Sequence, residues 1–212
     1  MTSSDHEYGL MAHFYLSEVR SALGHACTRE DRSLKINRLQ FDSRRTEPGD
    51  LFVAISTEQR DGNKYISDAF KRGAVAAIVE RIDPAYPIAR QIVVPESRAA
   101  LVKLGSYFRD RAKNAQVIGI TGSNGKTSTK EALAAVLGTS GSVVKSQKSF
   151  NNELGIPVTL SETSQDTNYT VLEMGAQFVG EIRSYCELGR PHHGIITNIG
   201  RAHLGMFGSP QN

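Results

Sequence analysis

The sequence has little of what would place it in a special class. Of its 212 residues only Cys27 and Cys186 are cysteines, far apart and without a C-x-x-C partner. That spacing argues against a disulfide framework or a zinc site and for two reduced thiols. No apolar run approaches the length of a membrane span, and the N-terminus, with Asp5, His6 and Glu7, lacks the apolar core of a signal peptide. The formal net charge is only +3, with no Lys/Arg block interleaved with aromatics, so nothing points to nucleic acid. Internal repeats and low-complexity segments are also missing. With 39% apolar and 22% charged residues, the chain reads as an ordinary globular protein of the cytoplasm, long enough for one large domain or two small ones.

What is present centres on Val117 to Ser128, VIGITGSNGKTS. An apolar, β-branched run enters a glycine-containing loop, which delivers Lys126 and Thr127 into a helix-forming segment, Thr129 to Leu137. Strand, tight turn and helix N-terminus in that order make an anion cradle: backbone N–H groups face a phosphate and the helix dipole adds partial positive charge. Lys126 would reach the β- and γ-phosphates of a nucleoside triphosphate, and the Thr127 hydroxyl would ligate Mg2+. The strict pattern G-x-x-x-x-G-K-[ST] is not met, because Ile120 stands at its first glycine. The tighter T-G-x-x-G-K-T stands instead. The competing reading is a chance Gly-Lys-Thr at a helix start.

Residues 1–12 read as a loose extension. From 13 to 112, helical and strand patterns alternate. Helices are expected over 14–23, 66–72 and 98–111, and strands over 33–38 leading into 39–41, then 51–55, 74–80 and 91–94. That suffices for a small α/β domain with its own core. Lys113-Asn114-Ala115 marks a junction to a second domain, 113–212. There the spacing predicts strands at 117–121, 142–145, 169–174 and 193–198, a helix over 178–188, and a polar loop over 149–157. Strands alternating with helices imply a mainly parallel sheet whose ligands collect at the carboxyl ends of the strands. The phosphate loop, Glu173 and Asn198 all lie at such ends.

Glu173, closing the run YTVLE, is where a phosphate-loop enzyme would hold or polarise Mg2+, unless it is a surface glutamate. His203 could serve a second cation or a phosphate, or be solvated. His192 and His193 are adjacent and read as structural. Asn151 and Asn152 offer amides near the phosphate site, although an Asx-turn would look the same. Ser43 and Arg44 precede the turn at Pro48-Gly49 and could bind an anion. Pairing of Arg44 with Asp42 or Glu47 is the alternative.

Taken together, these stretches resemble the Mur ligases, ATP-dependent enzymes that extend the peptide of UDP-MurNAc. DSRxxxPGxLFVA (from Asp42), followed by Asp61-Gly62, Ile66, Ala69, Gly73-Ala74, Ala76 and Glu80, is similar to the family's UDP-substrate domain, and TGSNGKTS to its phosphate loop. SFNNELGIPVTL, LEMGAQFVGEI and TNIGRAHLGMFGS resemble the branch that adds D-Ala-D-Ala to UDP-MurNAc-tripeptide. The resemblance spans residues 14–210. It implies that Ser43 and Arg44 contact the uridine nucleotide. Gly122, Ser123, Asn124, Gly125, Lys126, Thr127 and Ser128 would cradle ATP, while Thr127, Glu173 and His203 hold Mg2+. Asn151 and Asn152 would lie near substrate and metal. Catalysis is then assigned to Lys126, Glu173 and His203, acting by positioning and charge stabilisation in a monomer. Thr57, Asn63 and Gly205 depart from the family pattern, which carries Gly, His and Glu there.

The resemblance also implies a family length more than twice this one, with a carbamylated lysine and a C-terminal domain beyond Asn212. The 212 residues are therefore expected to be the N-terminal part of such a ligase, with the central domain incomplete. Other expectations are a non-catalytic nucleotide- or UDP-sugar-binding module, or another branch of the superfamily. A purified chain of these residues should show no phosphate release dependent on ATP and D-Ala-D-Ala; measurable turnover in that assay would contradict the expectation.

Overall fold

A computed structural model describes residues 14–147 and 150–200. The chain divides into two compact units, 1–100 and 101–212. Among the described residues no helix is long and apolar enough to cross a membrane.

In the first unit, β1 (Phe14–Tyr15) pairs antiparallel with β2 (Lys35–Ile36), and α1 (Leu16–Leu23) runs between them. The expected single helix over 14–23 thus starts two residues late. Phe14 and Tyr15 are used in the ladder, and the Tyr15 N–H donates to Glu18 Oε2 at 2.7 Å, capping the helix there. Four parallel strands follow in spatial as well as chain order: β3 (Leu39–Gln40), β4 (Leu51–Val53), β5 (Ala76–Val79) and β6 (Gln91–Val93). Every residue of β4 and β5 is buried, as expected where a parallel sheet is covered on both faces. Phe52, Ala54, Ala77 and Val79 form a core with Ile66 and Ala69 of α2 (Ile66–Lys71), flanked by Tyr65, Phe70 and Tyr86. Gly73, at φ +102°, ends α2 and returns the chain to the sheet.

The sequence puts the domain junction at 113–115, whereas the compact units divide inside α3 (Ser97–Arg111), between Ala100 and Leu101. The second unit carries β7 (Gln116–Thr121), α4 (Lys126–Leu137), β8 (Val143–Lys145), α5 (Gly155–Ser161), β9 (Tyr169–Glu173), α6 (Glu181–Gly189) and β10 (His193–Ile196). Its strands are all parallel, ordered β10-β7-β9-β8. Ile118, Ile120 and Val171 make the centre of its core, against Leu133 and Leu137 of α4. Register aligns Ile120 with Glu173 and Thr121 with Ile196, so the phosphate loop leaves the sheet level with the ends of both neighbouring strands.

Two expectations change here. The polar loop expected to run through Pro157 stops at Leu154, and Gly155 opens α5, whose seven residues are all buried. Pro157 is tolerated because it sits in the first helical turn, where its missing N–H has no partner to lose. The helix expected from Phe178 begins at Glu181. The Glu181 carboxylate accepts from the N–H groups of Gln177 and Phe178 at 2.6 and 2.9 Å, and Gly180 at φ +93° breaks the helical path upstream. His192 is structural, as expected: its Nδ1 accepts from the Val117 N–H at 2.9 Å.

The first unit's core predicts one outcome directly. Phe52 is 1% exposed among neighbours that are mostly alanines and cannot swell into its place. Phe52→Ala should lower the unfolding free energy by about 3–5 kcal/mol in urea titrations.

Candidate nucleotide site

The loop between β7 and α4 is shaped by two glycines with positive φ. Gly122 lies at +135°, and Gly125 at +80° immediately before the first helical residue. A Cβ on Gly122 would stand 2.2 Å from Thr197 Oγ1 and 2.9 Å from the Asn198 carbonyl oxygen. This close approach exists because the end of β10 grips the loop. The Ser123 N–H donates to the Asn198 carbonyl at 3.1 Å and the Asn124 N–H to Asn198 Oδ1 at 2.9 Å. Thr197 Oγ1 donates to the carbonyl of Asn124 at 2.5 Å, and the Gly200 N–H to Ser123 Oγ at 2.9 Å. Lys126 bends back over the same loop, donating to the Gly122 carbonyl at 2.6 Å. The N-terminus of a twelve-residue helix and an ammonium therefore converge on one turn, as an anion site requires.

Glu173 ends β9 beside this turn and is 2% exposed, so it is no surface glutamate. The Thr127 hydroxyl donates to Oε2 at 3.0 Å and the Asn151 amide to Oε1 at 3.0 Å. Its own N–H donates to Ser146 Oγ at 3.1 Å. Sequence reasoning missed the fourth partner, Lys130. Its side chain is completely buried, with Nζ 3.3 Å from Glu173 Oε2 and 3.3 Å from Glu131 Oε1. Neither carboxylate is aligned for a hydrogen bond to it. The signal was in the helix spacing: Lys130 shares the stripe of Leu133, Ala134 and Leu137, which faces the core. Thr127 and Glu173 together present a hydroxyl and one carboxylate, hard oxygen donors that suit Mg2+ bound jointly with substrate phosphates. Among the described residues no three His, Cys, Asp or Glu side chains converge on one point, and His203 lies outside those residues.

The two asparagines have different tasks. Asn151 orients Glu173, and its carbonyl accepts from the Gly175 N–H at 2.7 Å. Asn152 Oδ1 accepts from the N–H groups of Leu154 and Gly155 at 3.2 and 3.0 Å, an Asx-turn that leads into α5. In the first unit, Ser43 and Arg44 lie in a tight turn, Ser43–Arg45. Arg44 is well exposed but clamps Asp42 in a bidentate pair, 2.9 and 2.7 Å, which holds the Asp42 carboxyl below the usual carboxylate range. Ser43 is buried and its hydroxyl serves Asp68, the main cause of that carboxyl's lowered pKa.

Comparison with known proteins bears on this geometry. The family pattern described as "Mur ligase middle domain" matches residues 120–212, and "Mur ligase family, catalytic domain" matches 35–109. This chain belongs to the Mur ligase family. Among curated Mur ligases, the UDP-N-acetylmuramoyl-tripeptide--D-alanyl-D-alanine ligase of Synechocystis is 37% identical over 183 residues, covering 86% of this chain and 40% of that protein. The enzyme of the same name from Rickettsia prowazekii is 41% identical, over 84% of this chain and 39% of its own length. Crystal structure I of MurF from Acinetobacter baumannii superposes with a TM-score of 0.80 at 33% identity, over 95% of this chain and 44% of that one. MurF from Thermotoga maritima, solved in complex with ADP, aligns with a TM-score of 0.67 at 34% identity, over 82% and 40%. This Mur ligase chain thus spans about two fifths of the length of the curated relatives it matches.

The grip of β10 on the phosphate loop has a direct test. Gly122→Ala combines a backbone conformation closed to alanine with a collision on Thr197 Oγ1. It should cost about 1–3 kcal/mol of stability in chemical denaturation, and calorimetry should show weakened ATP binding.

Proposed function

We propose that the activity this chain serves is the ATP-dependent joining of D-Ala-D-Ala to UDP-MurNAc-tripeptide, a cytoplasmic step of peptidoglycan synthesis. The observation that carries it is the coupling of the phosphate loop to Glu173: Lys126 and Thr127 in the first turn of α4 meet a buried carboxylate at the tip of the adjacent strand. The ADP named with the T. maritima relative supports ATP as the nucleotide.

In this reading the γ-phosphoryl group of ATP moves to the terminal carboxylate of the tripeptide, giving an acyl phosphate and ADP. The amine of D-Ala-D-Ala attacks the acyl carbon, loses a proton, and inorganic phosphate leaves. The backbone of Gly122 to Ser128 would hold the phosphates, while the Lys126 ammonium exchanges the Gly122 carbonyl for a phosphate oxygen and follows the charge as it develops. Thr127 and Glu173, with His203, would hold Mg2+, which when bound offsets phosphate charge. Asn151 keeps Glu173 aimed. Asn152 would meet a ligand through its amide nitrogen, since Oδ1 is engaged with α5. Arg44 and Ser43 would recognise the uridine diphosphate by trading Asp42 and Asp68 for phosphate oxygens.

Calorimetric titrations of this chain with Mg-ATP and with UDP-MurNAc-tripeptide test the proposal. Lys126→Ala should weaken nucleotide binding at least about tenfold without affecting the UDP compound, and Arg44→Ala should do the reverse. Nucleotide affinity unchanged in Lys126→Ala would overturn the assignment of the loop.

A further inference from the structure

Helix α4 bears two lysines one turn apart, and they have opposite environments. Lys126 lies over the loop. Lys130 is 0% exposed and, among the described residues, reaches carboxylates, Glu173 on one side and Glu131 on the other. Glu131 in turn pairs with Lys145 at the surface. A line of alternating charge therefore runs from solvent, through Lys145, Glu131 and Lys130, to the carboxylate beside the phosphate loop.

An ammonium taken wholly out of water is costly, and ion pairing without aligned hydrogen bonds repays that poorly. A hydrophobic residue on this stripe would fill the space, so stability alone does not account for the charge. Its effect on Glu173 does. Lys130 cancels the single negative charge of the carboxylate, Lys145 balances Glu131, and Lys126 with the helix N-terminus leaves the neighbourhood positive. Both Glu173 oxygens are also held, Oε1 by Asn151 and Oε2 by Thr127 and Lys130, so the group is fixed in direction.

We propose that Lys130 is a positioning residue that suppresses divalent-cation binding at Thr127 and Glu173 until the phosphates of a nucleotide arrive. This rests on the assignment of Thr127 and Glu173 as cation ligands. A dication approaching the bare site meets a neutralised carboxylate and two ammonium groups. The several negative charges of a triphosphate reverse that field, and the cation enters as its complex.

Mn2+ titrated into the chain without nucleotide, followed by electron paramagnetic resonance, tests this without reference to turnover. The unmodified chain should bind Mn2+ weakly. Lys130→Gln and Lys130→Met should each tighten binding at least about tenfold, Lys130→Arg should leave it weak, and adding Glu173→Gln to Lys130→Gln should abolish the gain. No tightening in a folded Lys130→Gln chain, shown by unchanged circular dichroism, overturns the proposal. Tightening that survives Glu173→Gln overturns instead the assignment of Glu173 as a cation ligand. Should the uncharged variants not fold, the unmodified chain decides. One tight nucleotide-free Mn2+ per chain, lost in Glu173→Gln, overturns the proposal, and weak binding upholds it.

Discussion

One carboxylate organises the second unit. Glu173 is almost completely buried, and a buried charge without partners would be prohibitive. Three side chains meet that need, Thr127 and Lys130 from α4 and Asn151 from the loop before α5, while Ser146, just past β8, accepts from the Glu173 backbone N–H. The start of α4, the strand tips and the β8–α5 connection are thereby tied to one point at the carboxyl end of the sheet, where an open parallel sheet binds its ligands.

The phosphate loop adds a second constraint. Left-handed glycines give it a concave path, but the path is held from outside by Thr197 and Asn198. Rigidity of this kind suits a site whose work is placement rather than covalent chemistry. In the proposed reaction the donors would already be oriented before charge develops on the phosphoryl group. The first unit is built differently, with a strand-rich core under a turn whose Arg44 is exposed and whose Ser43 is enclosed.

The regular elements were legible because parallel strands covered on both faces are written as short apolar runs, and AVAAIVE and YTVLE are plain examples. Where the reading slipped, side chains had overridden the pattern. Glu18 and Glu181 decided where helices begin, and Pro157 looked like a terminator while sitting harmlessly in a first turn. The line from Lys126 and Thr127 to Glu173 was visible from motif and strand position. Lys130 was not, since a lysine on a helix is ordinarily solvated and only its stripe-mates reveal that it faces inward. The role of Asn198 as a brace for Ser123 and Asn124 was also hidden, because it depends on two strands being neighbours across more than seventy residues of chain.

That long separation has a consequence for how the protein is made. The nucleotide loop emerges from synthesis well before the strand that shapes it. Until Thr197 and Asn198 have been produced and β10 has docked on β7, the segment from Gly122 to Asn124 lacks the contacts that hold its bend. Contacts so distant in sequence carry a loop-closure cost and form late. The nascent chain therefore passes through a stage in which the lysine and threonine of the motif are present but the cradle is not. The loop acquires its held shape only when the last described strand is in place.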